Sequence, residues 1–237
     1  MGTDALVEAI TTVHDDAERE ALVRRLTSLE KPFVLSFVNA HAHNLAAKDE
    51  RFRGDLLASD CILRDGIGMQ LLYQLLGKAP GLNMHGTDFI PLLLERFAGR
   101  PVALLGTQQP WLGLTAEKVA RRSPLAAVVD GFQAPEAYLE ALEEKPADLV
   151  VLGMGMPKQE RVAQLLKAGL GSRPCLIANG GAILDFLGGK VTRAPAWMSV
   201  VGLEWTYRLA QEPRRLFRRY VVGNATFLAR AVKTRLG

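Results

Sequence analysis

The sequence predicts an α/β fold built on a parallel sheet with helices on both faces. Short apolar segments alternate with longer segments of helical spacing, and most apolar segments end at glycine, asparagine or aspartate. Strands that are buried on both faces read as continuous apolar runs, and their alternation with helices is typical of β–α–β units. These observations indicate a Rossmann-like arrangement.

The elements follow one another in a regular order. The predicted strands are 33–38, 61–63, 102–105, 126–129, 149–152 and 175–178. The helices predicted between them are 41–53, 66–77, 87–98, 112–122, 135–144 and 158–168. Helical spacing without a strand signal continues through 195–211 and 213–233. We therefore predict an α/β domain over residues 1–194 and a basic helical appendage over 195–237.

Composition predicts a compartment. The 49% apolar residues suffice for a substantial core, yet no apolar run reaches the roughly 18 to 20 residues that cross a bilayer. The amino end lacks the basic start and apolar centre of a signal peptide. Cys61 and Cys175 lie in apolar runs without metal-ligand spacing, which favours buried thiols in a reducing compartment. We expect a cytoplasmic protein, either monomeric or a homo-oligomer.

The basic residues are concentrated in the appendage. Residues 207–237 include eight arginines and lysines and one glutamate, a net charge of +7 in a chain of net +4, so residues 1–206 sum to −3. Arginines four residues apart, 214 with 218 and 215 with 219, predict a cationic stripe beside an apolar side. A helix of this kind is typical of segments that bind an anionic membrane surface or a diphosphate. The alternative is an ordinary surface helix packed on the body. No nucleic-acid-binding signature accompanies it, so no nucleic acid partner is predicted.

Ligands of parallel sheets bind at the carboxyl ends of the strands, so the residues that follow the strands are the site candidates. Asp65 follows the second strand and is a candidate general base, with the N-cap of the next helix as the alternative. In His85–Asp88, Thr87 or Asp88 is an N-cap candidate, whereas Gly86 and Thr87 offer groups to a sugar or phosphate. The other strand-end candidates are Asn39, Gly106, Asp130–Gly131, Gly153–Gly155 and Asn179–Gly181.

The segment Gly153–Glu160 reads as a strand, a glycine-rich turn and a helix start. Pro157 suits the first helical turn, and free N–H groups at the helix start favour an anionic or hydroxylated ligand. It is neither a Walker loop nor a dinucleotide fingerprint, because the required lysine and glycine spacings are missing. His41 and His43 form a His-x-His pair, but the spacing of the four histidines favours a polar helix start over a metal site.

The motifs in this order resemble a known enzyme family. The matching segments are Asn39–Ala40, Ser59–Asp60, Asp65–Gly68, Leu76–Lys78, Gly86–Asp88, Gly106, Asp130–Phe132, Gly153–Glu160, Gly181–Ala182, Asp185–Phe186, Gly189–Lys190, Arg193–Pro195, Gly202–Trp205 and Glu212–Arg215. From about Phe33 to the end of the appendage, the chain resembles the WecG/TagA/CpsF glycosyltransferases, glycosyltransferase family 26.

The resemblance implies an inverting transfer of a sugar from a UDP-sugar to a polyprenyl-diphosphate-linked saccharide at the inner face of the cell membrane. It implies no metal and no cofactor, and Asp-x-Asp is absent from the sequence. Asp65 would be the base, and Asn39 and Gln159 would contact the donor. The appendage would close the active site and contact the membrane. The further substrate-binding residues predicted are Gly66, Gly86, Thr87, Asp88, Gly106, Gly153, Glu160, Arg193, Arg208, Arg214, Arg215 and Arg218.

Two positions depart from the family pattern. Phe37 stands where the family often has threonine, and Asn83 stands where it often has arginine, with His85 next to Gly86. Both positions are expected near the sugar, so the donor is left open. Two other classes of function also remain: a nucleotide-binding regulatory protein without turnover, and a metal-dependent hydrolase centred on His41 and His43.

Overall fold

The computed structural model describes residues 4–195, 198 and 203–236, with the side chains of 215 and 234–236 excepted. Within these residues a six-stranded, all-parallel sheet has the order β2-β1-β6-β5-β3-β4. The strands are β1 (Pro32–Val38), β2 (Cys61–Arg64), β3 (Val102–Gly106), β4 (Leu125–Val129), β5 (Leu149–Gly153) and β6 (Cys175–Asn179). The predicted fold class and all six predicted strands are confirmed.

Helices cover both faces of the sheet. Those of the body are α1 (Ala5–Glu8), α2 (Asp16–Thr27), α3 (Ala40–Ala46), α4 (Glu50–Leu57), α5 (Ile67–Leu75), α6 (Gly86–Arg96), α7 (Trp111–Ala120), α8 (Pro135–Glu144), α9 (Lys158–Gly169) and α10 (Ile183–Gly188). Phe33, Leu35 and Phe37 of β1 pack in one core layer with α2, α6, α7 and α10. The alternate residues Val34 and Val38 face the opposite side, where α3, α4, α5, α8 and α9 pack.

The predicted helix 41–53 is wrong. The segment 41–53 forms two helices rather than one, because it contains a second N-cap. Asn39 caps α3, and the Oδ1 of Asp49 accepts a 2.9 Å hydrogen bond from the Phe52 N–H to start α4. Helices α1, α2 and α10 were not predicted. Cys61 and Cys175 are buried free thiols, as expected.

A crevice opens at the carboxyl edge of the sheet, where the chain continues from two neighbouring strands into helices on opposite faces. After β1 the chain enters α3 on one face, whereas after the adjacent β6 it enters α10 on the other face. The same reversal separates α7 after β3 from α9 after β5. Such switch points are where open α/β sheets bind ligands, and they place the cleft between Asn39, Gly153 and Asn179.

The carboxyl-terminal region packs back onto the body. It consists of α11 (Glu204–Gln211), α12 (Pro213–Phe217), a π-helix (Arg218–Val222) and α13 (Gly223–Leu236). Phe227 and Ala231 of α13 are buried against α3 and α5, and the Asn44 Nδ2 donates a 2.7 Å hydrogen bond to the Gly223 carbonyl. Part of the predicted 195–211 helix, and Gly202 of the family motif, lie outside the described residues. No described helix combines the length and apolarity that crossing a bilayer requires.

Candidate active site

Two adjoining cavities lie at the carboxyl edge of the sheet. The strand-end cavity, about 480 Å³, is lined by the loops after β1, β3, β5 and β6 and is rich in backbone groups from Gly153–Met156 and Asn179–Ala182. The apolar cavity, about 510 Å³, lies between α5 and the carboxyl-terminal helices and includes Leu71, Trp205 and Leu228. The residues that line both cavities are Asn39, His41, Asp65, Thr87, Arg208 and Arg219.

Asp65 stands at the junction of the two cavities. Its Oδ1 lies 2.8 Å from the Nδ1 of His85, and its side chain is 25% exposed. It is not an N-cap: Gly66 holds that position before α5 with a φ of 88°, and no side chain caps the helix. The N-cap alternative is therefore wrong, and the carboxylate is directed to histidine rather than to the helix start.

The surroundings of Asp65 include residues that were not in the predicted set. Arg64, 2% exposed, donates hydrogen bonds to the carbonyls of Pro80, Gly66 and Gly81 and so ties the end of β2 to the loop before α6. Burial lowers the pKa of His85, but the hydrogen bond and charge of Asp65, with the more distant carboxylates of Glu204 and Asp88, outweigh burial and raise it. A charged residue ending a buried strand was a signal that could have identified Arg64.

The loop before α6 places two predicted residues in the strand-end cavity. Helix α6 begins at Gly86 with His85 at the N-cap, so neither Thr87 nor Asp88 is the cap, because both already lie in the helix. Gly86 and Thr87 line the cavity, as their proposed role requires. Asp88 is exposed and pairs with Arg193, so these two predicted substrate-binding residues hold each other outside the lining of both cavities.

The Oδ1 of Asn39 accepts hydrogen bonds from the N–H groups of His41 and Ala42, each 3.1 Å long, and this fixes the start of α3 at the cleft. His41 lines both cavities, and burial, followed by the charge of Arg219, lowers its pKa to about 4. His43 instead bonds Asp4 through Nε2 at 2.6 Å, and its ring meets Phe227. The two histidines thus point to different surroundings, and no described group of three or more His, Cys, Asp or Glu could hold a metal.

The glycine-rich turn after β5 leads into α9, as predicted. Gln159 is 1% exposed and bridges two elements: its Oε1 accepts from the Gly181 N–H at 2.9 Å, and its Nε2 donates to Glu160 at 2.8 Å. Gln159 lines the strand-end cavity, whereas Glu160 lies behind it, outside the described lining. Burial raises the pKa of Glu160 to about 7. The pair holds the turns after β5 and β6 together.

The end of β3 adds a further cluster. Gly106 has no room for a side chain, because a Cβ would lie 2.4 Å from the Gly153 carbonyl carbon. Thr107 follows at a φ of 44°, unusual for a β-branched residue, and its hydroxyl donates to Asp185. Asp185 also meets the Lys190 ammonium at 3.2 Å. Thr107, Asp185 and Lys190 line the strand-end cavity but were not among the predicted site residues.

The arginines of the carboxyl-terminal region divide into two groups. Arg208 stacks over the Phe186 ring, and both Arg208 and Arg219 line the two cavities. Arg214 and Arg218 are exposed and lie outside that lining, and the side chain of Arg215 lies outside what the structure describes. The predicted residues therefore include Arg208, but they miss Arg219.

The polar strand-end cavity and the apolar cavity share one carboxylate, Asp65, and two arginines, Arg208 and Arg219, an arrangement compatible with an α/β enzyme of the group-transfer type. Residues 7–237 match the family model described as "Glycosyl transferase WecG/TagA/CpsF family". The chain belongs to this family, so it is a glycosyltransferase and the resemblance predicted from its motifs is confirmed.

Two curated relatives carry the name N-acetylglucosaminyldiphosphoundecaprenol N-acetyl-beta-D-mannosaminyltransferase. That of Bacillus spizizenii is 28% identical over 176 residues, covering 72% of this chain and 68% of the relative. That of Bacillus subtilis is 29% identical over 188 residues, covering 77% of this chain and 73% of the relative. The names of both relatives thus specify a lipid-linked sugar acceptor.

Proposed function

We propose that this protein transfers a sugar from a UDP-sugar to a polyprenyl-diphosphate-linked saccharide, with inversion and without a metal, in the synthesis of a cell-surface polymer. The observation that carries the proposal is the position of Asp65. Its carboxylate lies where a polar cavity and an apolar cavity meet, so it can contact both a donor and an acceptor. The lipid-linked acceptor named for both relatives supports the same assignment.

The donor belongs in the strand-end cavity. The backbone groups of Gly153–Met156 and Gly180–Ala182 allow close approach of a nucleotide diphosphate, and the start of α9 favours negative charge there. Phe37 forms part of the wall and packs against Gly86 and Phe89. An apolar ring in this position replaces the hydroxyl expected from the family pattern, so the donor sugar is best identified by testing a panel.

The acceptor belongs in the apolar cavity. Ile67, Leu71, Trp205 and Leu228 offer an apolar surface to the first part of a lipid chain, while Asp65 lies at the inner end. Val221 lines this cavity, and Phe217 and Val222 are exposed in the same segment as the exposed Arg214 and Arg218. Exposed apolar side chains among arginines fit an anionic membrane surface, so we propose peripheral association with the inner face of the membrane.

The reaction we propose is a single displacement. Asp65 takes the proton of the acceptor hydroxyl. At the same time the oxygen of that hydroxyl bonds to the anomeric carbon, and the bond from this carbon to UDP breaks. Attack from the side opposite the leaving group inverts the configuration. Arg208 and Arg219 stabilise the negative charge that develops on the diphosphate, a role that a metal ion has in other transferases.

The test is a transfer assay with a synthetic GlcNAc-diphospholipid acceptor and a panel of UDP-ManNAc, UDP-GlcNAc, UDP-glucose and UDP-glucuronate, each with and without EDTA. One donor should give a product of inverted anomeric configuration at an EDTA-independent rate. Asp65→Asn should lower kcat by about 10² to 10⁴, the usual value of a general base, and retain the thermal stabilisation given by UDP. Asp16→Asn, at an exposed carboxylate, is the matched control.

Wild-type turnover by Asp65→Asn would disprove the base assignment. Stabilisation by UDP with no transfer from any donor would instead favour a regulatory nucleotide-binding protein. Activity that EDTA abolishes and a divalent metal restores would disprove the metal-independent mechanism.

A further inference from the structure

Asp65 is the end of a chain of three hydrogen bonds. The Gly66 N–H donates to the Oδ1 of Asn83 at 2.8 Å. The Nδ2 of Asn83 lies 2.8 Å from the Nε2 of His85, and the Nδ1 of His85 lies 2.8 Å from the Oδ1 of Asp65. Asn83 is one of the two positions at which this protein departs from the family pattern, so the arrangement depends on a residue of its own.

The hydrogen-bond donors among these four residues determine which nitrogen of His85 carries the proton. A backbone N–H can only donate, so the atom of Asn83 that faces Gly66 must be the carbonyl oxygen, and its NH₂ group must face His85. That NH₂ group donates, so the Nε2 of His85 must accept. A neutral imidazole that accepts at Nε2 carries its proton on Nδ1, and this proton points at Asp65.

We infer that Asn83 holds His85 in the Nδ1-protonated tautomer, so that His85 positions Asp65 by donating to Oδ1 and leaves Oδ2 to receive the acceptor proton. Within the described residues, the hydrogen bond of the Asp65 carboxylate to His85 is made by Oδ1, and Oδ2 has no hydrogen-bond partner. His85 is thus a positioning residue rather than the base. The role in catalysis rests on the function proposed above, whereas the tautomer does not.

The charges around His85 act on it from several elements. Asp65 contacts it directly, Asp88 of α6 and Glu204 of α11 add negative charge, and Asp88 itself is paired with Arg193. His41, Arg208 and Arg219 line the cavities that Asp65 borders. The carboxylates favour a second proton on His85, and the Asn83 NH₂ group opposes it because two donors would then face each other.

The first test needs no substrate. Long-range ¹H–¹⁵N NMR on the intact protein at pH 8 distinguishes the two neutral tautomers and the imidazolium, and His85→Asn assigns the signal among the four histidines. We expect the Nδ1-protonated tautomer. In Asn83→Asp, a carboxylate facing Nε2 should convert His85 to the imidazolium. An Nε2-protonated ring or an imidazolium in the wild type would overturn the inference.

The second test is kinetic. His85→Asn keeps a neutral N–H near the position of Nδ1, whereas His85→Ala removes it. We expect His85→Ala to lower kcat roughly 10- to 100-fold, the value of a hydrogen bond to a charged group, with KM changed by less than about threefold. His85→Asn should recover most of that loss. Equal losses in both variants, or a change confined to KM, would overturn the positioning role.

The two proposals can fail separately. If Asp65→Asn keeps wild-type turnover, the proposed mechanism fails whatever the tautomer of His85 is. If Asp65→Asn is inactive but the NMR signal shows the Nε2-protonated ring, Asp65 stands as the base and the Asn83–His85 inference fails.

Discussion

At the scale of single residues, the buried carboxyl group of Glu160 affects the pH dependence of folding. Glu160 is 1% exposed, and its Oε2 has no hydrogen-bond partner among the described residues. Burial raises its pKa from 4.5 to about 7. Between these values the folded state binds more protons than the unfolded state, so stability falls as the pH rises through this range and stays lowered above it.

Glu160→Gln should remove this dependence, because the amide cannot ionise and its oxygen can still accept from Gln159. Relative to wild type, the free energy of unfolding of the variant should rise by about 3 kcal/mol between pH 4.5 and pH 8. Urea unfolding at a series of pH values measures the change. Glu140→Gln, at an exposed glutamate of α8, is the control and should follow the wild-type curve. Parallel curves for wild type and Glu160→Gln would show that Glu160 is not the group responsible.

At the scale of elements, α13 is attached by a small number of buried contacts. Phe227 is 1% exposed and packs beside His43 and over Gly68, whose Cβ-free backbone lets α3 and α5 approach closely. His43 in turn bonds Asp4, so the amino-terminal and carboxyl-terminal segments meet at one point of the body. A truncation before α13 would expose this apolar surface, which makes point substitutions the better probe of the region.

Phe227→Ala should lower the free energy of unfolding by about 3 to 5 kcal/mol, because it leaves a cavity where an aromatic ring is fully buried. Leu228→Ala, at the next residue and 45% exposed, should change it by less than about 0.5 kcal/mol. Urea unfolding compares the two. A small loss in Phe227→Ala would mean that α13 contributes little to the stability of the body.

At the scale of the whole molecule, charge and exposed apolar surface coincide at one end. Phe217 and Val222 are each 53% exposed, and they lie in the segment that carries Arg214 and Arg218. Basic residues near an anionic bilayer contribute about 1 kcal/mol each, and salt screens this attraction. Val221 of the same segment lines the apolar cavity, so a membrane bound at this surface would lie next to that cavity.

The double variant Arg214→Glu with Arg218→Glu should weaken binding to phosphatidylglycerol vesicles by more than about 30-fold at low salt, as the loss of two basic residues and the gain of two acidic ones require. Vesicle co-sedimentation measures this, and high salt should weaken wild-type binding as well. Arg24→Glu with Arg121→Glu, exposed near the amino ends of β1 and β4, is the matched control. Equal binding by both double variants, or equal binding to neutral vesicles, would exclude an electrostatic membrane surface here.

The arginine pattern shows where sequence reasoning reached its limit. The i, i+4 stripe assumed a continuous α-helix, but the π-helix at Arg218–Val222 changes the spacing, with bonds from i to i+5. In the structure Arg219 lines the cavities, whereas Arg214 and Arg218 are both exposed. The helical spacing over 41–53 likewise predicted one helix. The structure has two, α3 and α4, because the Asp49 side chain caps the start of α4.

The sequence by itself determined the strands, their order of alternation and the position of Asp65 after β2, because strands buried on both faces must be continuously apolar and their carboxyl ends must carry the ligand contacts. Tertiary structure decided which side chains meet. The contacts of Asn83 with Gly66, of Gln159 with Gly181 and of Phe227 with the body join residues 17 or more positions apart. Local spacing carries no record of such contacts, since they depend on how the strands are ordered and how the helices pack.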